Sequence, residues 1–216
     1  MTAPYKVLGL PPTASFNNLE WEELHIPKAF INCYPWGEGY KPVSYGQAVI
    51  IHNAGLALRL VSYEENPKAV YSRYGDPVYK DSCLEFFASL NPGSGLYLNL
   101  EVNSNGAFLA AVRKERKFKT PIDKLIDIGE IKIVPGKGKD VKGNSFWFIK
   151  AFLPFSAIEK LFGVGGDFFI PGTVFKGNFY KCGDETETPH YGSHFPINLP
   201  EPDFHRPEFF GDFVIV

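Results

Sequence analysis

The sequence predicts an all-β chain, an antiparallel two-sheet β-sandwich with one short helix, and three observations carry that prediction. Short runs of alternating apolar and polar residues recur, turn-forming clusters separate them, and a single segment carries a helix-start signal. Composition agrees, since 44% hydrophobic and 16% aromatic residues support a substantial core, while 21 Gly and 18 Pro favour many turns over long helices. At 216 residues the chain fits one large β domain, read as an extended arm over residues 1–18 followed by a single domain over 19–216.

Taken in order, Pro11 and Pro12 block regular structure in the arm. Residues 19–26 (LEWEELHI) read as a short strand or turn around Trp21. Residues 32–42 mix glycine with aromatics, a composition suited to covering a sheet edge or lining a pocket, with core packing favoured for Trp36. Residues 48–52 are a short apolar run, and 55–63 alternate, with Leu56, Leu58 and Leu60 on one face and Arg59 and Tyr63 on the other. The cleanest strand is 96–103: Leu96, Leu98, Leu100 and Val102 point one way, and Tyr97, Asn99, Glu101 and Asn103 the other, so one face is core and the other wet or functional. Ser104, Asn105 and Gly106 then supply a turn into 107–113, which predicts a hairpin. Residues 114–142 are polar and Lys-rich, a solvated face with one strand around Ile131, Ile133 and Val134. The β-prone run 146–153 ends at Pro154, after which Ser156 and Glu159 match a capping box and predict a helix over 156–162. Residues 174–182 and 212–216 read as the last strands.

The chain is organised around residues 177–211, which hold His190, His194, His205 and Cys182 among closely spaced prolines and aromatics. Proline and glycine forbid a helix there, and Phe179, Tyr180, Tyr191, Phe195, Phe204, Phe209 and Phe210 must still be buried. A strand leading into a long ordered loop that closes over one face of the body satisfies both demands, and function is expected where the two meet.

A formal net charge of −2 lacks the basic footprint of a nucleic-acid binder. Cys33, Cys83 and Cys182 are odd in number and far apart, indicating free buried thiols rather than a disulfide framework or a zinc knuckle. No membrane-length apolar run or leader pattern is present, so the chain as it stands reads as cytoplasmic, with secretion requiring a leader outside this sequence.

Two constellations bear on chemistry. If residues 79–87 (YKDSCLEFF) are extended, Tyr79, Asp81, Cys83, Glu85 and Phe87 share a face. Glu85 then either pairs with a structural Arg or Lys or faces a groove and binds ligand hydroxyls. His190 and His194 have a spacing of four, but Pro189, Gly192 and Pro196 exclude the helix that a zinc-protease pattern needs. A loop-borne metal site using His190, His194 and His205 with Asp184 is the competing reading, and it would make the protein a metal-dependent or hydrolytic sugar-processing enzyme. Nucleophile-elbow, P-loop and dinucleotide-binding motifs are missing.

The runs DSCLEFF (81–87), YLNLEVNSNG (97–106), GNFYKCGDETETPHYGSHFPI (177–197) and PDFHRPEFFG (202–211) resemble family 9 carbohydrate-binding modules, in particular the stand-alone family 9-like proteins. The resemblance spans roughly residue 43 to the C-terminus. It implies a DOMON-like β-sandwich, immunoglobulin- or jelly-roll-like in arrangement, that binds carbohydrate without catalysis: the end of a plant-type polysaccharide such as cellulose or xylan, or a free sugar. By position, Tyr79, six residues before Glu85, takes the place of a clamping tryptophan, and Glu85 that of the hydroxyl-binding acid. Asn178 and Lys181 match polar groups of the late strand, Arg113 the family arginine, and His194 stands where many relatives have tryptophan. Phe179, Tyr180 and Trp36 are the candidates for a second ring. Strand alternation puts Asn178 and Lys181 on opposite faces, so a shared site would need a bulge. The resemblance also implies structural calcium, although no EF-hand-type loop occurs.

Overall fold

The computed structural model describes residues 3–37 and 39–216, so Met1 and Thr2 of the expected arm and Glu38 of the aromatic loop lie outside it. Among the described residues the chain forms fourteen strands and one α-helix. The strands are β1 (Tyr5–Leu10), β2 (Ala29–Phe30), β3 (Cys33–Trp36), β4 (Ser44–Ile51), β5 (Gly55–Ser62), β6 (Cys83–Ser89), β7 (Tyr97–Asn103), β8 (Phe108–Arg113), β9 (Lys119–Pro121), β10 (Lys132–Lys139), β11 (Ser145–Pro154), β12 (Val174–Cys182), β13 (Tyr191–Ser193) and β14 (Gly211–Ile215). The helix α1 is Phe155–Phe162. No helix among these residues is long and apolar enough to cross a membrane.

The strands form one mixed sheet in the order β10-β11-β5-β4-β1-β14-β12-β6-β7-β8-β9, with β13 on β12, β3 on β13, and β2 on β4. This corrects the antiparallel-only expectation. Tyr5–Val7 pair in parallel with Phe213–Ile215 of β14, and Leu8–Leu10 pair in parallel with Val49–Ile51 of β4. The segment read as part of an arm is therefore a strand in the middle of the sheet, with Tyr5 and Val7 buried. Its leading residues, LGL and YKV, carry the same apolar spacing as other strands, and Pro11 only ends it.

The sheet curls so that its halves enclose one core. Leu56, Leu58 and Leu60 from β5 join Leu84 and Phe86 from β6, and Leu98, Leu100 and Val102 from β7, as alternation in each strand requires. Phe179 on β12 lies over β4 so closely that a Cβ added to Gly46 would sit 2.3 Å from its ring. Gly46→Ala is accordingly expected to destabilise the fold by about 1–3 kcal/mol through overpacking, read as a lower urea midpoint at unchanged slope. A second apolar cluster on the outer side of β4 and β5 gathers Trp21, Phe16, Leu10 and Val49, and here residues 19–26 form turns rather than a strand.

The helix is present, but its capping box is not. Pro154 occupies the cap position, Ser156 is already inside the helix, and no side chain caps it. The Phe155 amide donates to Ala54 O at 2.9 Å, so a neighbouring turn rather than a side chain satisfies the first amide of the helix. Gly163, in the left-handed region at φ 71°, ends the helix.

Candidate functional site

The β6, β7, β8 and β12 strands present their second faces to the late loop. Register sets who stands beside whom: Tyr180 faces Glu85, Glu85 faces Glu101 and Glu101 faces Leu109, while Cys182 faces Cys83 and Tyr97 faces Arg113. The loop closes over this face as its aromatic content demands. Phe204 stacks on Tyr180 at 4.2 Å between ring centroids, His205 stacks on Phe87 at 5.0 Å, and Phe210 meets Tyr97 edge-on. Trp36 donates its indole N–H to Leu199 O, so it packs and pins the loop as expected.

Between the loop and the sheet a cavity of about 330 Å³ stays open, with Glu85, Glu101, Arg113 and Tyr191 from the strands and Tyr79, Asp184, Phe204 and His205 from the connecting segments in its lining. Tyr79 sits not in an extended run but in a 3-10 turn, Val78–Lys80, ahead of β6. That turn is tied to the late loop by Asp184 N donating to Tyr79 O and by a Lys80–Glu185 ion pair at 2.8 Å. Asp81 fixes its base, its Oδ2 accepting from Val70 N, Tyr71 N and Asn103 Nδ2.

The pocket floor is a chain of polar groups. Arg113 Nε donates to Asn99 Oδ1 at 2.7 Å, and Asn99 Nδ2 donates to Glu101 Oε1 at 2.8 Å. Glu101 Oε2 is buried without a partner. Cys182 Sγ donates to Glu85 Oε1 at 2.9 Å. Burial, with Cys182 and Glu101 alongside, pushes the Glu85 carboxyl well above the usual range. Burial likewise brings Glu101 up to about 7, with Asn99 and Arg113 holding it back. His205 is pushed down to about 3 by burial and then by Arg113, Arg116 and Lys119, so its ring is neutral. A protonated Glu85 offers one donor and one acceptor, which suits a hydroxyl that must also do both.

Of the six site residues expected from sequence, Tyr79, Glu85 and Arg113 line this cavity, and Asn178, Lys181 and His194 do not. Asn178 is wholly buried, its amide donating to Phe195 O while its oxygen accepts from Phe179 N and Phe195 N. Lys181 points to the other side of β12, because the pairing of β12 with β6 runs without a bulge from Lys176 to Cys182. Its ammonium donates to Ser82 Oγ, Cys182 O and His190 Nε2 and lies 3.5 Å from Glu64 Oε2. His194 is bonded through Nδ1 to Phe30 O. The second-ring candidates are also elsewhere: Phe179 is in the main core, and Tyr180 lies beneath Phe204.

Glu101, Tyr191 and Phe204 were not among the expected site residues, and His205 was expected only as a metal ligand. The alternation of β7 puts Glu101 on the face read as wet or functional, whereas Tyr191 and Phe204 carried no local signal. The three histidines have separate surroundings, and no group of three metal-ligating side chains among the described residues includes one. The one such group is Cys83, Glu85 and Cys182, a thiol-rich set that does not fit the all-oxygen coordination of calcium.

Together these features define a mostly β protein with a mixed-charge, ring-lined pocket on one sheet face. The profile of carbohydrate-binding family 9 matches residues 17–215, and the chain belongs to that family. A structure from Bacteroides uniformis, of a protein proposed to bind carbohydrate, is similar at 28% identity and TM-score 0.80, covering 98% of both chains. A family 9 carbohydrate-binding module from Caldicellulosiruptor kristjanssonii, solved with glucose, shares the fold at TM-score 0.61 and 12% identity, covering 98% of this chain and 95% of its own. The same module solved with cellotriose gives the same score and identity over 99% and 93%. A search of curated protein sequences returns no match.

Proposed function

We propose that the protein is a non-catalytic carbohydrate-binding protein, a DOMON-like β-sandwich, that holds the end of a plant-type polysaccharide or a free mono- or disaccharide in the pocket over β6, β7 and β8. The observation that carries this reading is the meeting of rings and hydrogen-bonding groups in one space: Tyr79, Tyr191 and Phe204 offer faces for sugar C–H groups, while Glu85, Glu101 and Arg113 offer polar partners for hydroxyls. A cavity of about 330 Å³ suits one or two sugar rings rather than a long chain. The glucose and cellotriose complexes of the Caldicellulosiruptor module support the same ligand class for this chain. In this reading Asn178, Lys181 and His194 hold the strand and loop in place and do not touch the sugar.

Isothermal titration against glucose, xylose, cello-oligosaccharides and xylo-oligosaccharides is expected to show a dissociation constant of roughly tens of micromolar to millimolar for at least one of them, as a small ligand's atom count allows. Tyr79→Ala, which removes a ring from the lining without touching the polar floor, is expected to weaken that binding about 5- to 10-fold, the loss of one stacking contact. An unchanged affinity in a folded Tyr79→Ala protein would move the sugar out of this pocket.

A further inference from the structure

We propose that Cys83, Cys182 and Glu85 form a binding site for a thiophilic divalent cation, best matched by Zn2+, at the floor of the pocket. The two sulfur atoms and a Glu85 carboxylate oxygen lie within 4.8 Å of one another, and all three residues are buried. Strand register, not a flexible loop, brings them together. Cys182 is directly opposite Cys83 in the β12–β6 pair, and Glu85 is two residues along β6 on the same face.

Zinc bound at about 2.3 Å from sulfur and 2.0–2.2 Å from oxygen places its donors roughly 3.4–3.8 Å apart, so modest side-chain rotations close this set around an ion. Two sulfurs with one carboxylate suit zinc better than calcium or magnesium, which take oxygen alone, and better than monovalent copper, which takes sulfur. Cys182 and Glu85 line the cavity, giving the ion both an entry path and a fourth position facing open space, where water or a ligand hydroxyl completes the tetrahedron.

A second, independent observation points the same way. Glu101, the cross-strand partner of Glu85, is 4% exposed, lines the same cavity, and leaves Oε2 without any partner. Buried carboxylate oxygens are normally satisfied by a donor. Among the described residues neither glutamate is in an ion pair, and Arg113 reaches Glu101 only through Asn99. A water in the fourth position of such an ion supplies the donor that Glu101 Oε2 lacks. Both thiols and the Glu85 carboxyl release their protons to solvent on binding, so the loaded site carries two thiolates and one carboxylate against two positive charges.

The test uses the whole chain, kept reduced with a phosphine, stripped of metal, and titrated with Co2+ as a spectroscopic probe and then with Zn2+. The expected result is one equivalent of Co2+ giving a thiolate-to-metal charge-transfer band in the near ultraviolet and tetrahedral bands in the visible, all displaced by one equivalent of Zn2+. Cys83→Ser and Cys182→Ser should each remove or strongly reduce the band, Glu85→Gln should keep sulfur ligation while weakening Zn2+ at least about 10-fold, and Cys33→Ser should change nothing. The unmodified chain showing no thiolate band overturns the site without need of any variant. A band surviving in both Cys83→Ser and Cys182→Ser overturns it by assigning the signal to Cys33. Sugar titration of the metal-free chain reads the carbohydrate proposal separately, so either can fail alone.

Discussion

Replacing Lys181 by methionine is expected to lower the unfolding free energy by about 3–5 kcal/mol, because it strips a buried carboxylate of its cation. Lys181 is 0% exposed, and the Glu64 side chain facing it is 7% exposed. Burial alone would raise the Glu64 carboxyl, but the Lys181 ammonium and donors from Ser82, Trp147 and Ser62 bring it below its ordinary value. Those donors stay within 2.9 Å of Oε2, so Glu64 remains charged when the lysine is lost, and the uncompensated charge is what destabilises the fold. Glu64→Gln added to Lys181→Met should restore much of the loss, a coupling that a double-mutant cycle in urea measures directly. The same variants decide the role of the residue in binding. A Lys181→Met protein that keeps its stability and loses sugar affinity would return Lys181 to the binding site and end the structural account.

The second large effect is on acid stability. His190 Nδ1 donates to Thr188 O, and its Nε2 accepts from Lys181, so the ring must be neutral to fit. Burial, then the Lys181 charge, pushes its pKa down to about 4 from 6.5. As pH falls below 6.5 the unfolded chain takes up a proton at this position while the folded chain does not until about pH 4. Stability from this group is therefore complete above 6.5, declines through the interval, and is fully lost below 4, a swing on the order of 3 kcal/mol at about 1.4 kcal/mol per pH unit. Glu85 and Glu101, whose pKa values are raised, act in the opposite direction over part of the same range, so the raw curve of the protein is a sum. The difference between the unmodified chain and His190→Gln isolates the histidine. The variant should lose about 3 kcal/mol less between pH 6.5 and 4, and parallel curves would show that His190 is charged in the folded state.

Much of the strand pattern was legible because a half-buried strand writes its period into the chain. The alternation of residues 96–103 sorted the side chains of β7 onto its two faces, although the polar face is buried beneath the late loop rather than wet, the hairpin to β8 followed from Ser104, Asn105 and Gly106, and β12 occupies the residues assigned to it. The β1 strand was not legible, since its partners lie at the far end of the chain and in β4, and two following prolines gave the stronger local signal. The helix was found for an incomplete reason: its apolar face packs inward, while the acceptor for its first amide comes from Ala54, which no local motif can report.

Around the cavity, the sequence by itself determined which residue types share a strand face, and the family motifs named Tyr79, Glu85 and Arg113, which line it. Period-two alternation also kept Asn178 and Lys181 on opposite sides of β12. Only the tertiary structure decided which side of each strand the late loop covers, and hence that Lys181 neutralises Glu64 in the interior while Cys182 meets Cys83 and Glu85 under the pocket. The physical reason is that periodicity is a property of one strand, whereas a pocket depends on the register between strands and on what packs above them. Residues distant in sequence, such as Glu85 and Cys182, become neighbours only when that register forms.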